Sequence, residues 1–377
     1  MKNNLLFIYY QNTKAGGVAK VLANIVNALV KEGYNIDILF LMGEHEDFYS
    51  LDGRIKKHYV DSFSFWTFKV CAFNKRNLRF MPKISNINNY IYQLGVTILM
   101  HRWLRRNHKA YNLIISCWYN LSCALALIKR VNNKVIAWEH ANHKVGGPFW
   151  NKLKPYYKNL YKVVCLNKDD NAYYKLINPQ TFVIGNMMDS NIEDQDFIPS
   201  KNKENLITMI ARLEQEKNVL EFLEIIKTSE LSSDWKVNII GDGSQISILT
   251  KYIDDNSLSN VSLLGQMDSE DVKKVLYKSK INCLTSLTES FGVVLIEAMF
   301  SSNALIAYNC PSGPAEIVNN QNGFLIPLGD KNEFKEKLKY LVQNTQTLDN
   351  LMLSSYSQSK KWKRNNIINK WNYILRN

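Results

Sequence analysis

Short apolar runs alternate with amphipathic stretches along most of this chain. Residues 5–10 form a continuous apolar run bounded by polar positions, which predicts a buried strand. After Gly16-Gly17, residues 18–31 carry apolar side chains at helical spacing. Gly33 stops that helix, and residues 36–41 read as the next strand. Residues 113–116, 134–138 and 163–166 predict further short buried strands. This alternation argues for a doubly wound α/β domain. The region 54–112 fits the pattern less well and yields no strand assignment.

A polar, acidic segment near 188–204, including Asn191-Ile192-Glu193-Asp194-Gln195-Asp196, reads as a linker. A second series follows it. Strands are predicted at 206–211, 236–241, 261–265, 281–284, 304–308 and 323–326, and helices at 219–229, 244–254, 268–278 and 293–300. Residues 356–376 read as a basic helix. The expected architecture is two Rossmann-like α/β domains, 1–188 and 189–355, and the cleft between them is the default site.

Composition narrows this picture. At 377 residues and 46% hydrophobic, the chain can fill two cores. Its six cysteines form no C-x-x-C pair and no zinc spacing, which suits small core residues in a reducing compartment. The first residues read as a strand rather than a signal peptide. No stretch reaches the roughly 18 clean apolar residues of a membrane span. Residues 112–128 come closest, but Asn112, Ser116, Asn120 and Ser122 break the run. Charge is more telling. From Arg54 to Lys109 there are twelve Lys or Arg against one acid, Asp61, so this stretch holds +11 of the chain's net +13. Phe63, Phe65, Trp66, Phe68, Phe73, Phe80, Tyr90, Tyr92 and Trp103 are interleaved with those cations, and Arg102, Arg105 and Arg106 cluster among them. Cations beside aromatics suit an anionic lipid surface. No nucleic-acid-binding signature accompanies the charge, so nucleic acid is not an expected partner.

The chemistry concentrates in Thr288-Glu289-Ser290-Phe291-Gly292-Val293-Val294-Leu295-Ile296-Glu297. Glu289 falls in a strand-to-helix loop. Glu297 lies about two turns later, on the face that Val293 shares. Backbone N–H groups of Ser290, Phe291 and Gly292 would meet an anion at the helix start. A phosphate between two carboxylates that accept from hydroxyls is what a nucleotide-sugar pocket needs. Two Glu eight apart are commonplace on helices; the strand, Ser-Phe-Gly and helix around them are not.

This segment resembles the retaining GT-B glycosyltransferases of glycosyltransferase family 4, whose signature is a Glu, seven residues, then a Glu. The resemblance spans nearly the whole chain and is densest from Ile207 to Asp330. Arg212-Leu213-Glu214-Gln215-Glu216-Lys217-Asn218 is similar to the family's G-R-L-x-x-x-K-G loop, with Ala211 and Asn218 in place of its two glycines. Gly241-Asp242-Gly243 matches its G-D-G-P turn, with Ser244 replacing the proline. Gln266 and Met267 fall where the family's backbone holds the base, and Gly16 and Gly17 resemble its N-domain glycine loop. His140, in Trp138-Glu139-His140-Ala141-Asn142-His143, corresponds to a histidine near the donor sugar, although His143 could fill that role. Glu139 would hold the acceptor or orient the histidine. Cys310-Pro311-Ser312-Gly313-Pro314 looks like the variant found in bacterial surface-polysaccharide and lipid-linked oligosaccharide transferases.

The resemblance implies a GT-B fold with residues 356–377 returning to the first domain. It also implies transfer of a hexose or N-acetylhexosamine, with retention, from a UDP-sugar to a lipid-linked glycan in capsule or lipopolysaccharide synthesis. Glu289, His140, Arg212 and Lys217 would act at the reacting centre. Gly16, Gly17, Gly241, Gln266, Met267, Ser290, Phe291, Gly292, Val293 and Glu297 would help bind the donor, and Arg102, Arg105, Arg106 and Glu139 would face acceptor and membrane. No metal or other cofactor is implied, in line with the lack of an Asp-x-Asp constellation there. The protein would sit in the cytoplasm, peripheral to the inner face of the membrane. A nucleotide-sugar 2-epimerase and a soluble polysaccharide synthase share this architecture and are the competing readings.

Overall fold

The computed structural model describes residues 3–13, 16–62, 65–77, 84–188, 190–193 and 195–377. Phe63, Arg79, Phe80 and Lys83, counted in the basic aromatic stretch, lie outside the described residues. The chain separates into two compact units, one of Met1–Met187 with Ile367–Asn377, the other of Met188–Asn366.

The first unit is built on strands β1 (Asn4–Tyr9), β2 (Asn35–Phe40), β3 (Lys56–Tyr59), β4 (Leu113–Ser116), β5 (Val135–Glu139), β6 (Lys162–Cys165) and β7 (Thr181–Val183). They form one parallel sheet of order β3-β2-β1-β4-β5-β6-β7. A parallel sheet is covered on both faces, so its inner strands are apolar throughout. Leu5 to Ile8 are fully buried, and β4 and β5 are buried at every position. Both strands absent from the sequence reading are edges. β3 is Lys56-Lys57-His58-Tyr59, without an apolar run, and is fixed instead by His58 Nε2 against Asp37 Oδ2 at 2.7 Å. β7 has only three residues. The unassigned region holds two helices, Trp66–Asn77 and Ile84–Asn107.

The second unit carries β8 (Leu206–Ile210), β9 (Lys236–Ile240), β10 (Val261–Leu263), β11 (Ile281–Leu284), β12 (Ala304–Asn309) and β13 (Gly323–Pro327). These pair in parallel in the order β10-β9-β8-β11-β12-β13. Both sheets are Rossmann-like, and each reverses its winding once, between β1 and β4 and between β8 and β11. The loops at the carboxyl ends of such a pair diverge and leave a crevice, which is where open α/β sheets bind ligands.

The basic helix expected over 356–376 is two helices. Thr345–Ser359 belongs to the second unit, a turn at Lys360–Trp362 intervenes, and Arg364–Arg376 follows. The last of these closes the first unit. Trp371 meets Trp138 edge to face at 4.9 Å, and Lys162 Nζ donates to the Ile374 carbonyl at 2.7 Å. Five of the six cysteines are buried, Cys71 being the intermediate one. Among the described residues no helix is long and apolar enough to cross a membrane.

Candidate active site

At the β8/β11 switch point two loops meet. The loop after β8 runs through Arg212 and a short 3-10 turn, Gln215–Lys217, to Asn218. Asn218 takes the left-handed conformation, φ 55°, and caps the helix Val219–Thr228. Asn tolerates that region better than other side chains, so its presence where the related pattern has Gly keeps the same turn. The loop after β11 contains Thr285, Ser286 and Glu289. Leu287 N donates to the Glu216 carbonyl at 2.9 Å, and Thr285 Oγ1 donates to the Asn218 carbonyl at 3.1 Å.

These ties bring Lys217 and Glu289, 72 positions apart, into an ion pair of 2.5 Å between Nζ and Oε1. Each side chain keeps only 16% of its surface exposed. Ser286 Oγ donates to the same carboxylate oxygen at 2.9 Å. Arg212 is not part of this pair. Its guanidinium lies on the surface, 2.7 Å from Glu216, in a contact of the exposed i, i+4 kind that contributes little.

The Glu-Ser-Phe-Gly segment is held from a third side. Glu289 and Ser312 form an isolated parallel bridge, and Gly313 packs so tightly that an added Cβ would lie 2.6 Å from the Phe291 carbonyl carbon. Phe291 turns its ring inward, edge-on to Trp362 at 5.2 Å, so only its backbone faces the site. Gly292, at φ 86°, caps the helix Val293–Phe300. The helical donors therefore begin at Gly292 and Val293, slightly later than Ser290. Glu297 sits on the second turn, 8% exposed.

Gly241 and Gly243 prove to be packing residues. At Gly241, φ 143°, a Cβ would fall 1.8 Å from the Ala211 carbonyl oxygen, and at Gly243 one would fall 2.6 Å from that of Leu213. The Gly241 N–H donates to the Gly265 carbonyl at 2.8 Å, next to exposed Gln266 and half-buried Met267. Sequence reasoning missed Ser286, Thr285, Ser312 and Gly313 as supports of the Glu289 loop. Only chain proximity pointed to Ser286, and nothing local pointed to Ser312.

The first unit carries its own share of the expected set. Gly16, extended at φ −170°, precedes the helix Gly17–Lys31, and its N–H donates to Tyr49 OH at 3.3 Å. A Cβ at Gly17 would meet nothing within 4 Å. His143 is anchored: its backbone N–H and its Nδ1 both reach Asp170 Oδ1, at 2.7 and 2.8 Å, and its ring stacks on Tyr173. Asp170 is itself held by Asn167, whose Oδ1 accepts from its backbone N–H at 2.8 Å and whose Nδ2 donates to its Oδ2 at 2.7 Å.

Glu139 ends β5 and His140 follows it directly, their side chains on opposite faces. The Glu139 carboxylate is enclosed and bonds to partners other than His140. Ser122 Oγ and Tyr157 OH donate to Oε1 at 2.7 and 2.9 Å, and Lys154 lies buried nearby. Burial pushes the Glu139 carboxyl up to about 7, against the opposing pull of those hydrogen bonds. His140 packs on Trp138, its Nε2 is buried without a partner, and burial lowers its pKa to about 3, so the ring is neutral.

These neighbours oppose each other in pH dependence. The folded Glu139 carboxyl holds a proton that the unfolded one sheds above 4.5, so its contribution weakens stability as pH rises from 4.5 to about 7. Folded His140 refuses a proton that the unfolded ring takes up below 6.5, so its contribution strengthens stability as pH rises from about 3 to 6.5. Between 4.5 and 6.5 the two cancel. Glu139→Gln should therefore tilt the unfolding free energy upward with pH by about 1.4 kcal/mol per unit relative to the parent, and His140→Gln should tilt it downward by as much. Urea titrations across that window read both slopes, and unchanged slopes would refute the opposition.

With this geometry in view, comparison with known proteins identifies the second unit. The glycosyl transferases group 1 family matches residues 190–359. The chain carries a glycosyltransferase group 1 domain. The chain is also 26% identical to the Campylobacter jejuni alpha-1,4-N-acetyl-D-galactosaminyltransferase acting on GalNAc-GalNAc-diNAcBac-PP-undecaprenol, over 95% of this chain and 94% of that one. It is 25% identical to the amylovoran biosynthesis glycosyltransferase AmsD of Erwinia amylovora, over 98% of this chain and 99% of the relative. In three dimensions it matches an S. aureus TarM variant solved with fondaparinux, alpha-GlcNAc-glycerol and UDP, at a TM-score of 0.73 and 15% identity, covering 100% of both chains. That likeness bears on the fold, two Rossmann-like units as in the GT-B glycosyltransferases. The expected enzyme class, a glycosyltransferase, thus holds. In the group 1 domain, the match encloses Lys217, Glu289 and Glu297 together.

Proposed function

We propose that the chain is a retaining hexosyltransferase of glycosyltransferase family 4, moving a hexose or N-acetylhexosamine from a UDP-sugar to a lipid-linked glycan at the cytoplasmic face of the membrane, in surface-polysaccharide synthesis. The observation that carries this reading is the Lys217–Glu289 pair at the β8/β11 switch point, beside a helix N-terminus. Glu289 accepts from hydroxyls of the donor sugar. Lys217, with Arg212 swung in from the surface and the N–H groups after Phe291, takes the charge of the departing diphosphate. Glu297 holds the ribose. The acceptor oxygen forms its bond to the anomeric carbon on the face from which the diphosphate oxygen leaves, and the acceptor proton passes to that oxygen. Protein cations and backbone dipoles supply the countercharge, so the scheme requires no metal. His140, neutral and with a buried unpartnered Nε2, is suited to hydrogen-bond the sugar. A UDP donor and a polyprenyl-linked acceptor are supported by the relatives, which include an undecaprenol-linked glycan transferase and a UDP-bound structure.

A thermal-shift panel of UDP, GDP, ADP and their sugars tests this. UDP at a hundredfold excess over its Kd should stabilise the protein by about 2.7 kcal/mol, and Glu297→Ala should abolish the effect. Stabilisation by GDP or ADP instead would overturn the assignment of the base, and none by any nucleotide would overturn the donor site.

A further inference from the structure

From Ser62 to Trp138 the chain contains no Asp or Glu. Within that stretch the helices Trp66–Asn77 and Ile84–Asn107 pack as an antiparallel hairpin. Near one end Thr67 fits against Gly95, where a Cβ would fall 1.9 Å from the threonine Oγ1. Towards the other, Cys71 Sγ donates to the Asn88 carbonyl and Asn74 Nδ2 donates to Asn88 Oδ1 at 2.9 Å. The seam thus consumes Thr67, Cys71 and Asn74, and Phe68 packs on Tyr92 at 5.1 Å.

Val96, Met100 and Leu104 of the second helix enter the core, and another face of each helix points outward. Trp66, Val70 and Phe73, spaced i, i+4, i+7, form one stripe with 54%, 37% and 62% of their surfaces exposed. Lys69, Lys75 and Arg76 are exposed beside it. On the second helix Ile87, Tyr90 and Leu94, spaced i, i+3, i+7, are also exposed. That stripe continues into His101, Arg102, Arg105 and Arg106, all exposed. Single exposed apolar residues are ordinary, but two adjoining stripes of them mark an interaction surface. Aromatic and aliphatic side chains interleaved with cations, on a stretch of chain without Asp or Glu, are complementary to a negatively charged bilayer.

We propose that this hairpin seats on an anionic lipid surface, with Trp66, Val70 and Phe73, extended by Ile87, Tyr90 and Leu94, entering the headgroup layer while Lys69, Lys75, Arg76 and the three arginines meet lipid phosphates. The inference deepens the lipid-linked acceptor reading and rests on it for its biological sense, since a docked hairpin would keep the enzyme where such an acceptor resides.

Co-sedimentation of the full chain with vesicles tests it, using phosphatidylglycerol mixed with phosphatidylcholine against phosphatidylcholine alone. The protein should bind the anionic vesicles and not the neutral ones. Trp66→Ser with Phe73→Ser should weaken binding at least tenfold, and Lys69→Gln with Lys75→Gln and Arg76→Gln on the order of a hundredfold. The charge variant touches only exposed side chains, so it remains informative if the apolar variant folds poorly. Leu353→Ser, an equally exposed apolar deletion in the second unit, should change nothing. Equal binding by all variants would overturn the proposal. So would light scattering that shows a dimer dissociated by the apolar variant, which would make the face a self-association surface. UDP stabilisation without vesicle binding would sink the docking alone, and vesicle binding without UDP stabilisation would sink the donor reading alone.

Discussion

Lys217→Ala and Glu289→Gln should each lower kcat/KM for sugar transfer by about 100- to 1000-fold, and the double variant should be hardly slower than the worse single one. The reason is geometric. The two side chains share one oxygen contact at 2.5 Å and are largely enclosed, so each sets the position of the other. Removing Lys217 takes away the cation facing the leaving diphosphate and frees the Glu289 carboxylate to move. Removing the carboxylate charge leaves Lys217 without its anchor. Groups that act as a unit lose their shared function once, which is why the effects do not multiply. A full double-mutant cycle on purified protein measures this. Fully multiplicative losses would show that the pair is two independent contacts. Arg212→Ala, by contrast, removes only an exposed partner of Glu216 in the resting protein, so its effect should fall on turnover with little change in stability.

Gly241→Ala should destabilise the second unit by about 3 kcal/mol or more and take activity with it. A methyl group there would sit 1.8 Å from the Ala211 carbonyl oxygen, and φ at 143° is a region that side chains avoid. The displaced strand end is the one that leads to Arg212 and Lys217, so strain at Gly241 reaches the ion pair. Denaturant titration should show the lowered midpoint. Gly17→Ala is the useful contrast. Its Cβ meets no atom within 4 Å, and the position opens a helix, so stability should stay level or rise by about 0.4–1 kcal/mol. If the open space above Gly17 belongs to the donor, activity falls although the fold is firmer. A Gly241→Ala protein as stable as the parent would contradict the close packing of these loops.

Much of the fold was legible in the sequence because a parallel sheet announces itself. Strands buried on both faces must be apolar at consecutive positions, and helices that cover them must be apolar at helical spacing, so β1, β4, β8, β11 and the helix Val293–Phe300 stand out. Edge strands carry no such signal. β3 is half lysine and is held by Asp37, a residue in β2, so nothing within its own four positions marks it. The hairpin in the acid-free stretch was hidden for a similar reason, since its outward face is apolar too and blurs the helical period.

The sequence by itself determined the residue types of the site and their order: a Glu in a strand-to-helix loop, a second Glu two turns on, and a lysine in the loop that follows another strand. Those are local facts, fixed by spacing along one backbone. Tertiary structure decided which of them meet. Lys217 reaches Glu289 because β8 and β11 are neighbours where the sheet reverses its winding, Arg212 turns to the surface, and Glu139 is drawn into a buried cage while His140, one residue on, faces the other way. Contacts between distant positions depend on which strands pair and which face each side chain takes, and no window of sequence contains both partners.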